Sequence, residues 1–244
     1  AMVAINLGFS PDGDATMGGD ARAWARAIAK QRAVVTWDYS VSEGELVLYP
    51  HWRLPRLAAR RREERAAAPY AGGMNYTMSP RLNLLTLYAA AGLFQDPAAD
   101  PDGLSRAFCA AVFGEEHADL GELFEAFEVI PGWGHYPRRK WSRPVLRAAY
   151  REIAERLEAA DVSRCALPLF PDPETYRQDL LWFARAFMEM AGDRPDRDRI
   201  RRDYWRRTYA IYDHIPMSVD ARADQAARKF ADTLREDASA AVTL

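Results

Sequence analysis

The chain has 244 residues, of which 49% are hydrophobic and 28% are charged, and its formal net charge is −2 at pH 7. These values are typical of a soluble globular protein and argue against a general attraction to nucleic acid or to membrane surfaces. The sequence has neither an apolar run of about 18 residues, which a membrane span requires, nor the pattern of a signal peptide. We therefore expect a cytoplasmic protein with no nucleic-acid partner and no membrane partner.

The first part of the chain predicts a short α/β segment. Strands are expected over 3–9 and 34–39, with an amphipathic helix between them that ends near residue 30. A second helix is predicted over 54–65, and a glycine-containing third strand over 70–76. Short β-branched strands that alternate with helices are typical of a parallel sheet.

Polar and aromatic residues stand where two of these strands end. Trp37, Asp38 and Tyr39 close the central strand, and Asn75 and Tyr76 close the third. Ligand sites of α/β units lie beyond the carboxyl ends of the strands. The five residues are therefore candidate binding residues if the two strands are neighbours. In the simpler interpretation the rings pack in the core and Asp38 caps a turn.

The segment 40–52 after the central strand is longer than the usual connection between a strand and a helix. It carries Glu43, Glu45, Tyr49, His51 and Trp52. Aromatic rings beside carboxylates suit a sugar, whose C–H faces stack on rings while its hydroxyls bond to carboxylates. An ordered surface loop is the alternative interpretation.

Charge runs and cysteines give no indication of a cofactor. The arginine-rich stretch 53–65 is interpreted as a solvated helix face rather than a phosphate or nucleic-acid site. Cys109 and Cys165 lie far apart without metal-ligand spacing, so we expect reduced, buried thiols, although the sequence leaves a disulfide open. No metal and no cofactor are predicted.

From about residue 80 the pattern changes to helices. Gln95-Asp96-Pro97 predicts one helix end, Asp100-Pro101 a helix start, and Gly114 the end of that helix. Apolar stripes predict helices over 84–94, 101–113, 120–127, 146–157 and 176–187, with further helical stretches to residue 234. The expected organisation is a partial α/β barrel segment over 1–80 and a helical domain over 81–244.

Several of these features form an ordered set of motifs. They are the strand Val34–Tyr39, Tyr49-Pro50, Gly72-Gly73, the helix end Gln95-Asp96-Pro97 with Asp100, and Phe108 to Phe113-Gly114. The set resembles one region of the α-glucuronidase- and hexosaminidase-like glycoside hydrolases, which contain a widespread domain of unknown function. Two positions differ, because the stretch Phe94-Gln95-Asp96-Pro97 lacks the tryptophan of the family's Trp-Asp-Pro motif and Val112 stands in place of an aromatic residue.

The resemblance implies a (β/α)8 barrel that continues into a carboxyl-terminal helical domain. This chain would supply the last barrel strands, with Trp37, Asp38 and Tyr39 contacting carbohydrate at the barrel mouth. Asn75 and Tyr76 lie at the next strand end, where the family pattern differs. The family's acid and base carboxylates lie on earlier strands, so no catalytic residue is carried over. The chain would hydrolyse a glycosidic bond only if a missing amino-terminal part or a partner completed the barrel.

A second hypothesis needs no carbohydrate. Two or three parallel strands do not form an independent sheet with two covered faces. The protein could then be a non-catalytic helical binding or scaffolding module, a homodimer that joins two partial sheets.

The first two residues have a separate interpretation. Ala1 is interpreted as a tag remnant and Met2 as a start methionine.

Overall fold

The computed structural model describes residues 3–6, 23, 26–30, 34–38, 50, 52, 54–67, 70–75, 80–129, 142–169, 172–192, 194–196, 198–200, 202–203 and 206–207. Over these residues the protein is mostly helical, with one small parallel sheet. This confirms the predicted combination of an α/β segment with a helical one. The described strands number three, and their closure into a barrel stays a prediction.

The sheet contains β1 (Val3–Asn6), β2 (Val34–Asp38) and β3 (Tyr70–Asn75), and the strands lie side by side in that order. Both pairs are parallel. Helical residues at 26–29 precede β2, and helix α1 (Leu54–Ala67) lies between β2 and β3. A parallel pair requires such a crossover connection, which explains why helices and strands alternate here.

The remainder of the described chain is built from helices. After α1 come α2 (Leu84–Gln95), α3 (Pro101–Phe113), α4 (Leu120–Leu123), α5 (Arg143–Ala159) and α6 (Pro173–Met190), and residues 198–200, 202–203 and 206–207 are helical as well. Short 3-10 turns occupy Pro80–Leu82, Glu115–His117, Phe124–Val129 and Val162–Arg164. Within the described part of the chain, no helix is both long and apolar enough to cross a membrane.

Local chemistry sets several helix ends as the sequence predicts. The Asp100 carboxylate accepts hydrogen bonds from the backbone N–H groups of Asp102 (3.2 Å) and Gly103 (2.9 Å), so it caps the first turn of α3. Gly114 ends α3 with a φ of 101°, a conformation that glycine adopts at little cost. The helix expected over 120–127 is only partly correct, because α4 stops at Leu123 and the chain tightens into a 3-10 turn.

Aromatic rings fill the main core of the helical part. α5 and α6 form the most extensive helix–helix contact of the described elements. Phe127, Tyr150 and Phe187 lie at mutual ring distances of 5.6–6.1 Å. The Tyr150 hydroxyl donates a 2.7 Å hydrogen bond to the Ala126 carbonyl, which satisfies its one polar group inside the core.

Two sequence interpretations need correction. Arg61 is only 2% exposed, and its guanidinium carbon lies 3.7 Å from the centre of the Phe94 ring, a cation–π contact between α1 and α2. The solvated-face interpretation is therefore wrong for Arg61, although Arg62 and Arg65 are exposed. Cys109 and Cys165 are free thiols as predicted, but Cys165 is only partly buried.

Helices α3 and α4 approach each other closely at one glycine. A Cβ atom built on Gly121 would lie 1.9 Å from Ser105 Oγ and 3.0 Å from Ser105 Cβ. The first distance is too short for a real contact and the second is unusually tight, so the crossing favours a residue without a side chain. At Gly72 in β3, in contrast, an added Cβ would meet no atom within 4 Å.

Candidate functional site

The carboxyl ends of β2 and β3 are adjacent, as the sequence predicts. The backbone register pairs Trp37 with Met74 and Asp38 with Asn75. A shift between Val34 and Val35 precedes these pairs, because Val34 faces Tyr70 while Val35 faces Gly72. β3 therefore has one extra residue at this shift, and this residue determines which residues of β2 and β3 lie opposite each other at the strand ends. The structure thus brings together the backbone positions of three of the five predicted binding residues.

The other two residues, Tyr39 and Tyr76, follow the strands directly and lie outside the described residues. So do Glu43, Glu45 and Tyr49 of the segment after β2, and His51 beside Trp52. Trp52 itself is 2% exposed and belongs to the main core with Leu54. Its ring therefore packs in the protein interior and is not available for stacking on a sugar.

The register adds one polar residue that the sequence did not single out. Asn6 is the last residue of β1 and pairs with Trp37, so the three strands end in Asn6, Asp38 and Asn75. A polar residue that closes an apolar strand was the available signal. This signal identifies Asn6 as a site residue only if β1 is known to be the neighbour of β2, and a single sequence does not show which strands are neighbours.

A partly buried ion cluster connects helix α6 with the turn that follows β3. Asp179 of α6 is fully buried. Arg81, in the turn Pro80–Leu82, donates two hydrogen bonds to the Asp179 carboxylate. Its Nε bonds to one oxygen, and its Nη2 bonds to the other at 2.8 Å. Arg207 donates from Nη2 to the same carboxylate. We call Arg81, Asp179 and Arg207 the Asp179 triad.

Tyr176 makes a second link between α6 and the residues that follow β3. It is buried, and its hydroxyl interacts with the Leu85 backbone in the first turn of α2. Burial raises the pKa of its hydroxyl far above the ordinary value of 10.0, with a smaller effect from nearby Cys109. Tyr176 therefore stays neutral.

One carboxylate residue and two amide residues close the described strands. Asp38 is the only carboxylate residue among Asn6, Asp38 and Asn75, whereas glycoside hydrolysis uses two carboxyl groups about 5–9.5 Å apart. A carboxylate accepts hydrogen bonds from sugar hydroxyls, and an amide both accepts hydrogen bonds from them and donates to them. Across the residues that the structure describes, no group of three His, Cys, Asp or Glu side chains could hold a metal ion.

In comparisons with known proteins, no family, no curated protein and no solved structure matches this chain. The resemblance to glycoside hydrolases stays a prediction from the motifs.

Proposed function

We propose that the protein binds carbohydrate at the carboxyl ends of its parallel strands, as part of a glycoside-hydrolase-like barrel. Asp38 and Asn75 would bond to sugar hydroxyls, and the rings of Trp37, Tyr39 and Tyr76 would supply stacking surface. The observation that carries this proposal is the register that pairs Asp38 with Asn75. Ligands of parallel α/β folds bind at this end of the sheet.

The strand order adds support. In a (β/α)8 barrel each strand lies beside the next one in sequence, with a helix between them. β1, β2 and β3 follow that rule, and α1 joins the last two. A doubly wound sheet can contain the same three-strand unit. The barrel is preferred here because of the ordered motifs from Val34 to Gly114.

Ligand-observed NMR is the suitable test, because single sugars bind weakly. The probes are N-acetylglucosamine and glucuronic acid, each free and as its 4-nitrophenyl glycoside, with saturation transferred from the protein. We expect transfer to at least one probe from the wild-type protein. Asp38→Ala should abolish it while the thermal unfolding temperature stays within a few degrees of wild type.

Glu155→Ala is the matched control, since Glu155 is an exposed carboxylate on α5, away from the strands in sequence. It should bind the probes as the wild type does. If no probe receives saturation, or if Asp38→Ala binds as well as Glu155→Ala, the proposed site is wrong.

The sheet also favours a second candidate, a homodimer that joins two partial sheets. Parallel sheets are normally covered on both faces and continue through several strands. Among the described strands, β1 and β3 each pair on one side only. Sedimentation equilibrium at micromolar concentration separates the candidates, because a monomer excludes this dimer.

A further inference from the structure

We infer that Asp179 is a positioning residue for the carboxyl end of β3, and that it acts through Arg81. Its importance for ligand binding rests on the proposed function, whereas its effect on β3 does not. Asp179 lies on α6, 104 residues after Asn75 in the sequence. It would thus hold in place a strand end that it does not belong to.

Two hydrogen bonds fix the orientation of the Arg81 guanidinium relative to the Asp179 carboxylate. Nε and Nη2 of the guanidinium each donate to a different oxygen of the carboxylate. Two parallel hydrogen bonds define the relative orientation of both groups, unlike a single ion contact. Asp179 is fully buried and Arg81 is 21% exposed, so water competes little for these bonds.

A short tether transmits this constraint to β3. Only four residues separate Asn75 at the end of β3 from Pro80 at the start of the turn that contains Arg81. Five virtual bonds reach at most about 18 Å, so fixing the turn limits where the strand end can lie. Helix α6 also contacts the turn Pro80–Leu82 directly, which supports the same constraint.

Arg207 provides an internal comparison. It also pairs with Asp179, and it is exposed to a similar degree as Arg81, 28% against 21%. Its position in the chain is 132 residues after Asn75, so no short tether leads from it to β3. Loss of either arginine removes an ion pair from Asp179, but only loss of Arg81 releases the strand end.

The test compares Arg81→Ala with Arg207→Ala in the full chain, using hydrogen exchange followed by mass spectrometry. We expect Arg81→Ala to speed exchange in the peptide covering β3 about tenfold or more, with α5 unchanged. Asp179→Asn should reproduce this effect. Arg207→Ala should leave β3 at the wild-type rate, and Arg81→Lys, which keeps one donor and the charge, should restore part of the protection.

Saturation transfer to the 4-nitrophenyl glycosides is measured on the same samples. Weaker transfer for Arg81→Ala than for Arg207→Ala supports positioning of a sugar site, provided that β3 in Arg207→Ala exchanges at the wild-type rate. Faster β3 exchange with no transfer even in the wild type upholds the positioning and overturns the proposed function. Equal β3 exchange in the two alanine variants overturns the positioning. If Arg81→Ala fails to fold, Arg81→Lys against Arg207→Lys gives the same comparison.

Discussion

Replacing Gly121 by alanine should destabilise the protein strongly, although it adds a single methyl group. That methyl would lie 1.9 Å from Ser105 Oγ, 3.0 Å from Ser105 Cβ and 3.3 Å from the Ser105 carbonyl carbon. Ser105 is 1% exposed, so its side chain has little room to turn away. Helices α3 and α4 must separate, and overpacking of this kind costs about 1–3 kcal/mol. Because the overlap is severe, we expect Gly121→Ala at the upper end of that range.

The three distances also predict how the loss can be recovered. Ser105→Ala removes the 1.9 Å overlap and leaves the Cβ contact at 3.0 Å, so the double variant should regain part of the stability. Ser105→Gly leaves only the 3.3 Å contact with the backbone. The double variant with Ser105→Gly should regain more stability than the one with Ser105→Ala, reduced by the roughly 0.5–1 kcal/mol that a glycine inside a helix costs.

Urea denaturation of the wild type, Gly121→Ala and the two double variants measures these free energies, provided the denaturant slope stays constant. Gly72→Ala is the control, because its methyl group would meet no atom within 4 Å. It should change stability by less than about 1 kcal/mol. If Gly121→Ala is as stable as Gly72→Ala, or if neither Ser105 substitution recovers anything, the close helix crossing is refuted.

Three further predictions concern the helical part. Asp172→Ala should lower the urea midpoint, because it removes the 2.8 Å hydrogen bond from the Thr175 N–H that caps α6; an unchanged midpoint would contradict the cap. Burial raises the pKa of Cys109 to about 12, so iodoacetamide at pH 8 should label the partly buried Cys165 first, as followed by intact mass; equal labelling rates would show that Cys109 is accessible. The Arg156 hydrogen bond lowers the pKa of Asp119 below its ordinary 3.8, so this carboxylate stabilises the fold above that pH. The stability difference between wild type and Asp119→Asn, about 0.2–1 kcal/mol for so exposed a pair, should shrink as the pH falls through the native pKa, and a difference independent of pH would refute the ion pair.

Local signals in the sequence predicted most of the element boundaries. Asp100 followed by Pro101 marks a helix start, because a carboxylate can cap the free N–H groups and proline fits the first turn. Both residues act in this way in the structure. The helix expected over 120–127 was too long, since an apolar stripe does not distinguish an α-helix from a 3-10 turn that buries the same side.

The Asp179 triad was beyond sequence reasoning, although one signal pointed to it. Asp179 falls on the apolar stripe formed by Tyr176, Leu180 and Phe183, where a charge is unexpected. That anomaly predicts a buried, paired carboxylate. It does not name Arg81, which lies 98 residues away, because such a pairing depends on how the helices pack. Likewise, the pairing of Asp38 with Asn75 needed the strand register, which a bulge shifts.

The Asp179 triad also restricts how this sequence can change over evolutionary time. Replacing Arg81 or Arg207 leaves the fully buried Asp179 carboxylate with one partner fewer, which is strongly unfavourable, and replacing Asp179 removes the shared partner of both arginines. Replacing all three with apolar residues of similar volume, in contrast, is often neutral or stabilising. Each single step away from Arg81, Asp179 and Arg207 is therefore selected against, even where the end point would be viable. Distant descendants of this chain should either keep all three residues or have lost them together.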